Sequence, residues 1–249
     1  MTLALPTRRD EVWRYSDLEA VASVWPVPAP ELVEVAAGES VSRVIVQDAG
    51  LDAVAIRDFR VVLHKGATAT FHVLNIGGKL GRIAMDVTCH EGSHFELGGA
   101  MLGGGQQTLE IVTTLNHIEP NATSNQLVRS VLGGRATGSY LGKVAVARDA
   151  QKTDASQSVK AMLLTRTATA NAKPELEIFA DDVKCAHGAT VGELDAMALF
   201  YLASRGIAPA EAKVLLLQAF VASAFAGIED AGEREAIEAA AQIALERML

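Results

Sequence analysis

From residue 31 to about residue 190, apolar and polar positions alternate in short runs; from residue 193 the period changes. Arg43-Val44-Ile45-Val46, Phe59-Arg60-Val61-Val62-Leu63-His64 and Thr70-Phe71-His72-Val73-Leu74 each read as strands. So do Leu109-Glu110-Ile111-Val112-Thr113 and Leu176-Glu177-Ile178-Phe179. In an extended chain side chains two apart share a face, so each run offers one face to a core. His64-Lys65-Gly66-Ala67 recurs as His90-Glu91-Gly92-Ser93, and Gly103-Gly104-Gly105 and Gly133-Gly134 set off later strands. Similar turns roughly 20–26 residues apart fit the rungs of a β-solenoid, each burying its apolar face on its neighbours. A jelly roll or sandwich would also show many short strands with glycine-rich turns, and stays open on pattern alone.

The flanks differ. Residues 6–30 place Asp10-Glu11 before Val12-Trp13-Arg14-Tyr15 and continue through Pro26, Pro28 and Pro30, which predicts a short helix or turn and then an extended strap. After residue 193, Glu193 to Leu202 is amphipathic and Arg205-Gly206 supplies a stop. Pro209 suits the first turn of a second helix, running through Leu215-Leu216-Leu217 to Phe225 and ended by Gly227. A third spans about 231–248, with Glu233, Glu235 and Glu238 near its start and Arg247 near its end, as the helix dipole prefers. The expected division is a strap over 1–30, a β core over 31–192 and a helical domain over 193–249.

Composition narrows the function. At 249 residues the chain is ample for a sizeable core, and with 49% apolar but only 5% aromatic residues that core rests on Val, Leu, Ile and Ala. A formal charge of -8 argues against nucleic-acid binding, which needs a basic face. No run approaches 18 uninterrupted apolar residues, so no membrane span is expected. Met1-Thr2-Leu3-Ala4-Leu5-Pro6-Thr7-Arg8-Arg9 has its charge after a very short apolar stretch, the wrong order for a signal peptide. Cys89 and Cys185 make no disulfide framework and suit a reducing cytoplasm.

The candidate chemistry is sparse. No phosphate loop exists: Gly142-Lys143-Val144 lacks the upstream glycine and the hydroxyl residue, and Gly103-Gly104-Gly105 runs into Gln106-Gln107. Nucleotide hydrolysis is therefore not expected. Cys89-His90-Glu91-Gly92-Ser93-His94 holds metal-binding residue types, but strand alternation turns Cys89 away from His90 and Gly92 breaks the run, which favours packing. Asp181-Asp182 invites comparison with solenoid carbohydrate lyases and hydrolases; adjacent strand residues face opposite ways, and two Trp and three Tyr are few for sugar platforms. In Lys184-Cys185-Ala186-His187-Gly188, Cys185 and His187 share one face of a strand, and a thiol beside an imidazole can ligate iron. A Cys buried as a small hydrophobe on an edge strand is the alternative.

Longer matches go further. Asn121 to Arg129, Asp149 to Ala155 and Lys173 to Ile178 strongly resemble the SufB/SufD family of iron–sulfur cluster assembly proteins. The run Asp181 to Asp195, holding Lys184-Cys185-Ala186-His187-Gly188, and the stretch Leu199 to Ile207 resemble the same family, as does the opening Leu5 to Tyr15. Residues 31–110 add only a compatible pattern. Two features point to the SufD branch: Gly188-Ala189-Thr190-Val191-Gly192 follows His187, and no thiol stands near Gln157-Ser158-Val159, where SufB carries a scaffold Cys. Ala186 departs from the usual Ser, and the chain is expected to lack the N-terminal helical extension of longer members.

The resemblance implies a mainly β fold, a right-handed parallel β-helix with a C-terminal helical domain. It implies an accessory scaffold without enzymatic activity, pairing with SufB along the β-helix and docking the ATPase SufC through the C-terminal helices, with a homodimer possible in isolation. His187, and secondarily Cys185, become candidate ligands of a nascent iron–sulfur cluster shared with SufB. No cofactor is expected to stay bound to the chain alone. A β-helix with exposed strand edges invites a partner chain on physical grounds too. Leu215, Leu216, Leu217, Phe220 and Phe225 exceed what one short helical hairpin covers internally, so the β body or another subunit should take the remainder.

Overall fold

A computed structural model describes residues 4–249; the expectation made for the extreme N-terminus falls partly on residues 1–3, outside the described residues. Twelve strands follow one another: β1 Glu31–Val35, β2 Ser40–Gln47, β3 Val54–Leu63, β4 Thr68–Asn75, β5 Leu80–Cys89, β6 His94–Gly103, β7 Thr108–His117, β8 Thr123–Leu132, β9 Thr137–Val146, β10 Asp154–Leu163, β11 Thr169–Ile178 and β12 Lys184–Gly192. Odd strands form one sheet in the order β1-β3-β5-β7-β9-β11, and even strands the other, in the order β12-β10-β8-β6-β4-β2. Every pairing is parallel. Chain neighbours thus lie on opposite sheets and pair only with strands one turn away. The result is a β-solenoid of six turns, and the jelly-roll alternative falls, because hairpin-connected strands would pair antiparallel.

A rung takes more chain than the glycine spacing implied. Val54 pairs with Leu80, 26 residues on, at the upper end of the expected 20–26, but Thr137 pairs with Thr169, 32 on, beyond it. The corner between the sheets explains why. Gly66 and Gly92 both have φ +65°, in the left-handed region open to glycine, and Gly66 N donates to Glu91 O one rung ahead. Asn121 and Lys152, each at φ 63°, occupy the same corner in later rungs, where N–H to carbonyl bonds continue from Gly92 to Pro120, Asn121 to Gln151 and Lys152 to Asp182. Asparagine tolerates that region and lysine does so at some cost, so the corner persists after its glycine signature has gone.

Inward positions carry the core. Phe71, Val73, Ile83, Val87, Phe95, Leu97, Leu109 and Ile111 are all fully buried between the sheets. Phe71 packs between Phe59, edge-on, and Phe95, tilted, with ring centroids 6.0 and 5.9 Å away. The filling is not wholly apolar. His117, at the inward end of β7, is fully buried with Nε2 3.0 Å from Ser124 Oγ, and burial pushes its pKa from 6.5 down to about 4. Because the folded chain refuses a proton that the unfolded chain accepts, stability should be full above pH 6.5 and fall as the pH drops toward 4. At pH 5 the loss should reach about 2 kcal/mol. Urea midpoints at pH 7 and pH 5 should differ less in His117→Asn than in wild type; equal differences would discount His117.

Both outer faces are partly covered. A 3₁₀ turn (Glu11–Trp13) and a short helix α1 (Leu18–Ala22) open the N-terminal strap, which lies on the odd sheet with Trp13, Ala20, Val21 and Trp25 against Leu80, Val54 and Ile56. On the even sheet lie α3 (Pro209–Ala222) and α4 (Ala231–Glu246), whose Leu217, Val221, Ile237 and Leu245, with Phe225 from the turn between them, bury Leu74, Ala100, Leu102 and Val131. Pro209 holds the first turn of α3, and Asp230 caps α4 by accepting from Glu233 N at 2.8 Å. Helix α3 ends at Ala222 rather than running on to Phe225, because residues 223–228 turn to drop Ala224, Phe225 and Ile228 into the sheet's outer surface. Helix α2 (Ala196–Ser204), capped by Asp195, buries none of its residues and leaves Met197, Phe200 and Tyr201 exposed.

Candidate functional site

Strand β12 closes the even sheet. It pairs on one side with β10, setting Cys185 opposite Ala155 and His187 opposite Gln157. No strand among the described residues takes its other edge, and β11 ends the odd sheet in the same way. The C-terminal end of the solenoid is therefore an open rung, a row of backbone N–H and C=O groups with Ile178, Phe179 and Val191 exposed around it.

Cys185 and His187 are brought to one face of this rung. Their register partners Ala155 and Gln157 are both buried, so the face continues the solenoid interior. Cys185 is half-buried and packs against the core between the sheets, as Ala172, Leu176 and Val183 also do. Burial pushes its thiol pKa up, the Asp154 charge adds to this, and a backbone hydrogen bond from Ala155 opposes it. The thiol is thus protonated at neutral pH and must lose its proton to become a metal ligand. His187 is exposed, and among the described residues none engages its ring. The two positions lie roughly 7 Å apart along the strand. Together they offer one sulfur and one nitrogen donor, half of a tetrahedral set. No group of three or more His, Cys, Asp or Glu side chains placed to hold a metal ion occurs among the described residues.

The other candidates separate. Cys89 ends β5 fully inside, its pKa pushed up to about 12 by burial, while His90 pairs with Glu119 at 3.1 Å and His94 with Thr123 at 2.7 Å. The run is a turn between two strands, and its side chains diverge. Asp181 and Asp182 sit in the turn between β11 and β12, not on a strand as expected. Asp181 accepts from Gln151 Nε2 at 3.0 Å and Asp182 pairs with Lys152, so both carboxylates are tied to the corner of the previous rung.

Beneath the open rung lies a group that the sequence reading missed. Thr113 Oγ1 donates to Gln126 Oε1 at 2.6 Å, Tyr140 Oη donates to the same oxygen at 3.0 Å, and Gln157 Nε2 donates to Tyr140 Oη at 3.1 Å. All four residues are buried, and burial pushes the Tyr140 hydroxyl well above its usual range. The one available signal was that Thr123-Ser124-Asn125-Gln126 is polar on both alternating faces, so an inward polar face could not be told from an outward one.

Comparison with known proteins bears on this geometry. Residues 30–220 match a family model described as SUF system FeS cluster assembly, SufBD core domain. The chain is 32% identical over 178 residues to the iron–sulfur cluster assembly protein SufD of Escherichia coli (strain K12), a match covering 71% of this chain and 42% of that protein. It is 37% identical over 148 residues to a SufBD family protein of Synechocystis, covering 59% of this chain and 33% of the relative. A SufBD family protein of Mycobacterium leprae is 30% identical over 218 residues, covering 84% of this chain and 55% of the relative. These matches span about a third to just over half of the relatives' own length.

Proposed function

The chain belongs to the SufB/SufD family, on its SufD side, and from that membership we propose that it is an accessory scaffold subunit of SUF iron–sulfur cluster assembly, without catalysis of its own. It would pair with SufB across the open rung at β11 and β12 and dock the ATPase SufC through the helical tail. The exposed Met197, Phe200 and Tyr201 of α2 would then lie where a partner covers them. No described helix is long and apolar enough to cross a membrane, and we place the complex in the cytoplasm.

One observation carries this reading: Cys185 and His187 stand on β12, whose outer edge takes no strand among the described residues, as two donors of an incomplete ligand set. A cluster handled there is cargo and needs further ligands from the chain that completes the edge. His187, exposed and with no partner to its ring among the described residues, is the residue that would meet the cluster, and Cys185 is the secondary donor. In isolation the same edge could pair with a second copy.

Co-purification with SufB and SufC chains, followed by iron and sulfide analysis, tests this. The complex should assemble and carry cluster, while the isolated chain should bind little iron and hydrolyse no ATP. In His187→Ala, cluster yield should drop at least tenfold with co-purification unchanged. A stoichiometric cluster on the lone chain would overturn the reading, and a normal yield in His187→Ala would remove that residue from the site.

A further inference from the structure

We propose that Gln157 is a positioning residue for His187: when the imidazole turns inward over β10, the side-chain oxygen of Gln157 accepts one ring N–H and leaves the other imidazole nitrogen bare toward the open rung. The inference rests on the reading of His187 as the group that meets the cluster. Three observations lead to it. Gln157 is His187's register partner on β10 and lies on the same inward face, one strand spacing below. Its side chain is buried, with Oε1 shielded from solvent and without a hydrogen-bond partner among the described residues. The amide is also oriented from beneath: the Tyr140 hydroxyl gives its proton to Gln126, so Tyr140 Oη accepts from Gln157 Nε2, and Oε1 is the end left over.

A buried acceptor without a donor is costly, and a nearby exposed imidazole has an N–H to give. A neutral imidazole carries one N–H and one lone pair, so whichever nitrogen donates to Gln157, the other becomes the ligand. Metal-bound histidines are generally held this way, by an acceptor on the far nitrogen that fixes tautomer and ring orientation. Thr113, Gln126 and Tyr140 would act through Gln157 by keeping its amide from turning over.

The test reads the ring nitrogens of His187 by ¹⁵N NMR in the full chain, without metal, at pH 8. All six histidines can be sorted by difference from His187→Ala. Gln157→Met, close in volume but without the acceptor, should change the ratio of the two neutral His187 tautomers by about fivefold, the worth of one ordinary hydrogen bond. Tyr140→Phe keeps Gln157 but removes the hydroxyl that orients it, and should shift the ratio the same way by a smaller factor. Gln157→Glu keeps an acceptor and should hold the wild-type preference. A ratio unchanged in Gln157→Met overturns the proposal; if that variant does not fold, an unchanged ratio in Tyr140→Phe does so. Because no cluster is present, the outcome is separate from that of His187→Ala in cluster assembly, and either result can fail without the other.

Discussion

Glu110→Ala should destabilise the chain by about 3–5 kcal/mol, because it strands a buried guanidinium. Arg82 and Glu110 are adjacent across β5 and β7 on the outer face of the odd sheet, with Arg82 Nη1 2.6 Å from Glu110 Oε2 and side-chain exposures of 3% and 1%. The strap shuts them in. Ser16 donates its hydroxyl to Glu110 at 2.8 Å, and the Trp13 ring lies over the guanidinium, 3.9 Å from centroid to Arg82 Cζ. Asp58, whose pKa is raised by burial and held back by the Arg82 charge, offers only partial replacement. The loss should appear as a melting temperature lower by on the order of 10 °C. The strap should loosen first, and its release has a clean optical signal: the chain's two tryptophans, Trp13 and Trp25, both sit in it. Emission should shift to the red before the β signal is lost. Replacing both partners, as Arg82→Met with Glu110→Leu, should recover most of the stability, since an apolar pair of similar volume leaves no charge uncompensated. A loss under 1 kcal/mol for Glu110→Ala would mean that water already reaches the pair.

That ion pair also shows where sequence reading ends. Strands were legible because alternation survives in Phe59, Val61 and Leu63 or Leu109 and Ile111 whatever the sheet order. Arg82 and Glu110 fall on the polar side of that alternation, and nothing local announces that a strap folded from residues 10–25 returns to cover them. The turn repeat was legible at Gly66 and Gly92 and faded at Asn121 and Lys152, where the corner keeps its left-handed backbone without glycine. The expected rung length came out short for that reason. Two-residue spacing puts Cys185 and His187 on one face of any strand; that this strand is the last, with an open edge, is a property of the assembled sheet. Gln157 was hidden more deeply. Its strand, Asp154-Ala155-Ser156-Gln157-Ser158, has small or polar residues on both faces, so only the register identifies the inward one.

Gly98→Ala should detach the helical tail from the β-solenoid. Gly98 is on the outward face of β6, and a Cβ there would lie 1.9 Å from the carbonyl oxygen of Ala224 and 2.7 Å from His72 Cδ2. The first obstacle is backbone, in the turn between α3 and α4, and it cannot rotate aside. The second is a buried imidazole already confined by Gly227, whose own Cβ would come within 3.2 Å of His72 Nε2. The methyl group must therefore lift residues 223–228, and Phe225 and Ile228 leave their seats against Leu74, Ala100, Leu102 and Val131. Overpacking of this kind costs about 3 kcal/mol where backbone has to move. Hydrogen exchange should quicken through α3 and α4 while β7 and β9, on the opposite sheet, keep their protection. Gly188→Ala, on open β12 with nothing within 4 Å of the added carbon, should leave stability within about 0.5 kcal/mol. If the tail is the docking platform for SufC, Gly98→Ala should also lose SufC in co-purification and keep SufB, whose proposed edge lies at the end of the solenoid. Unchanged protection in α3 and α4 would show that the turn yields without undocking, and would separate tail mobility from partner choice.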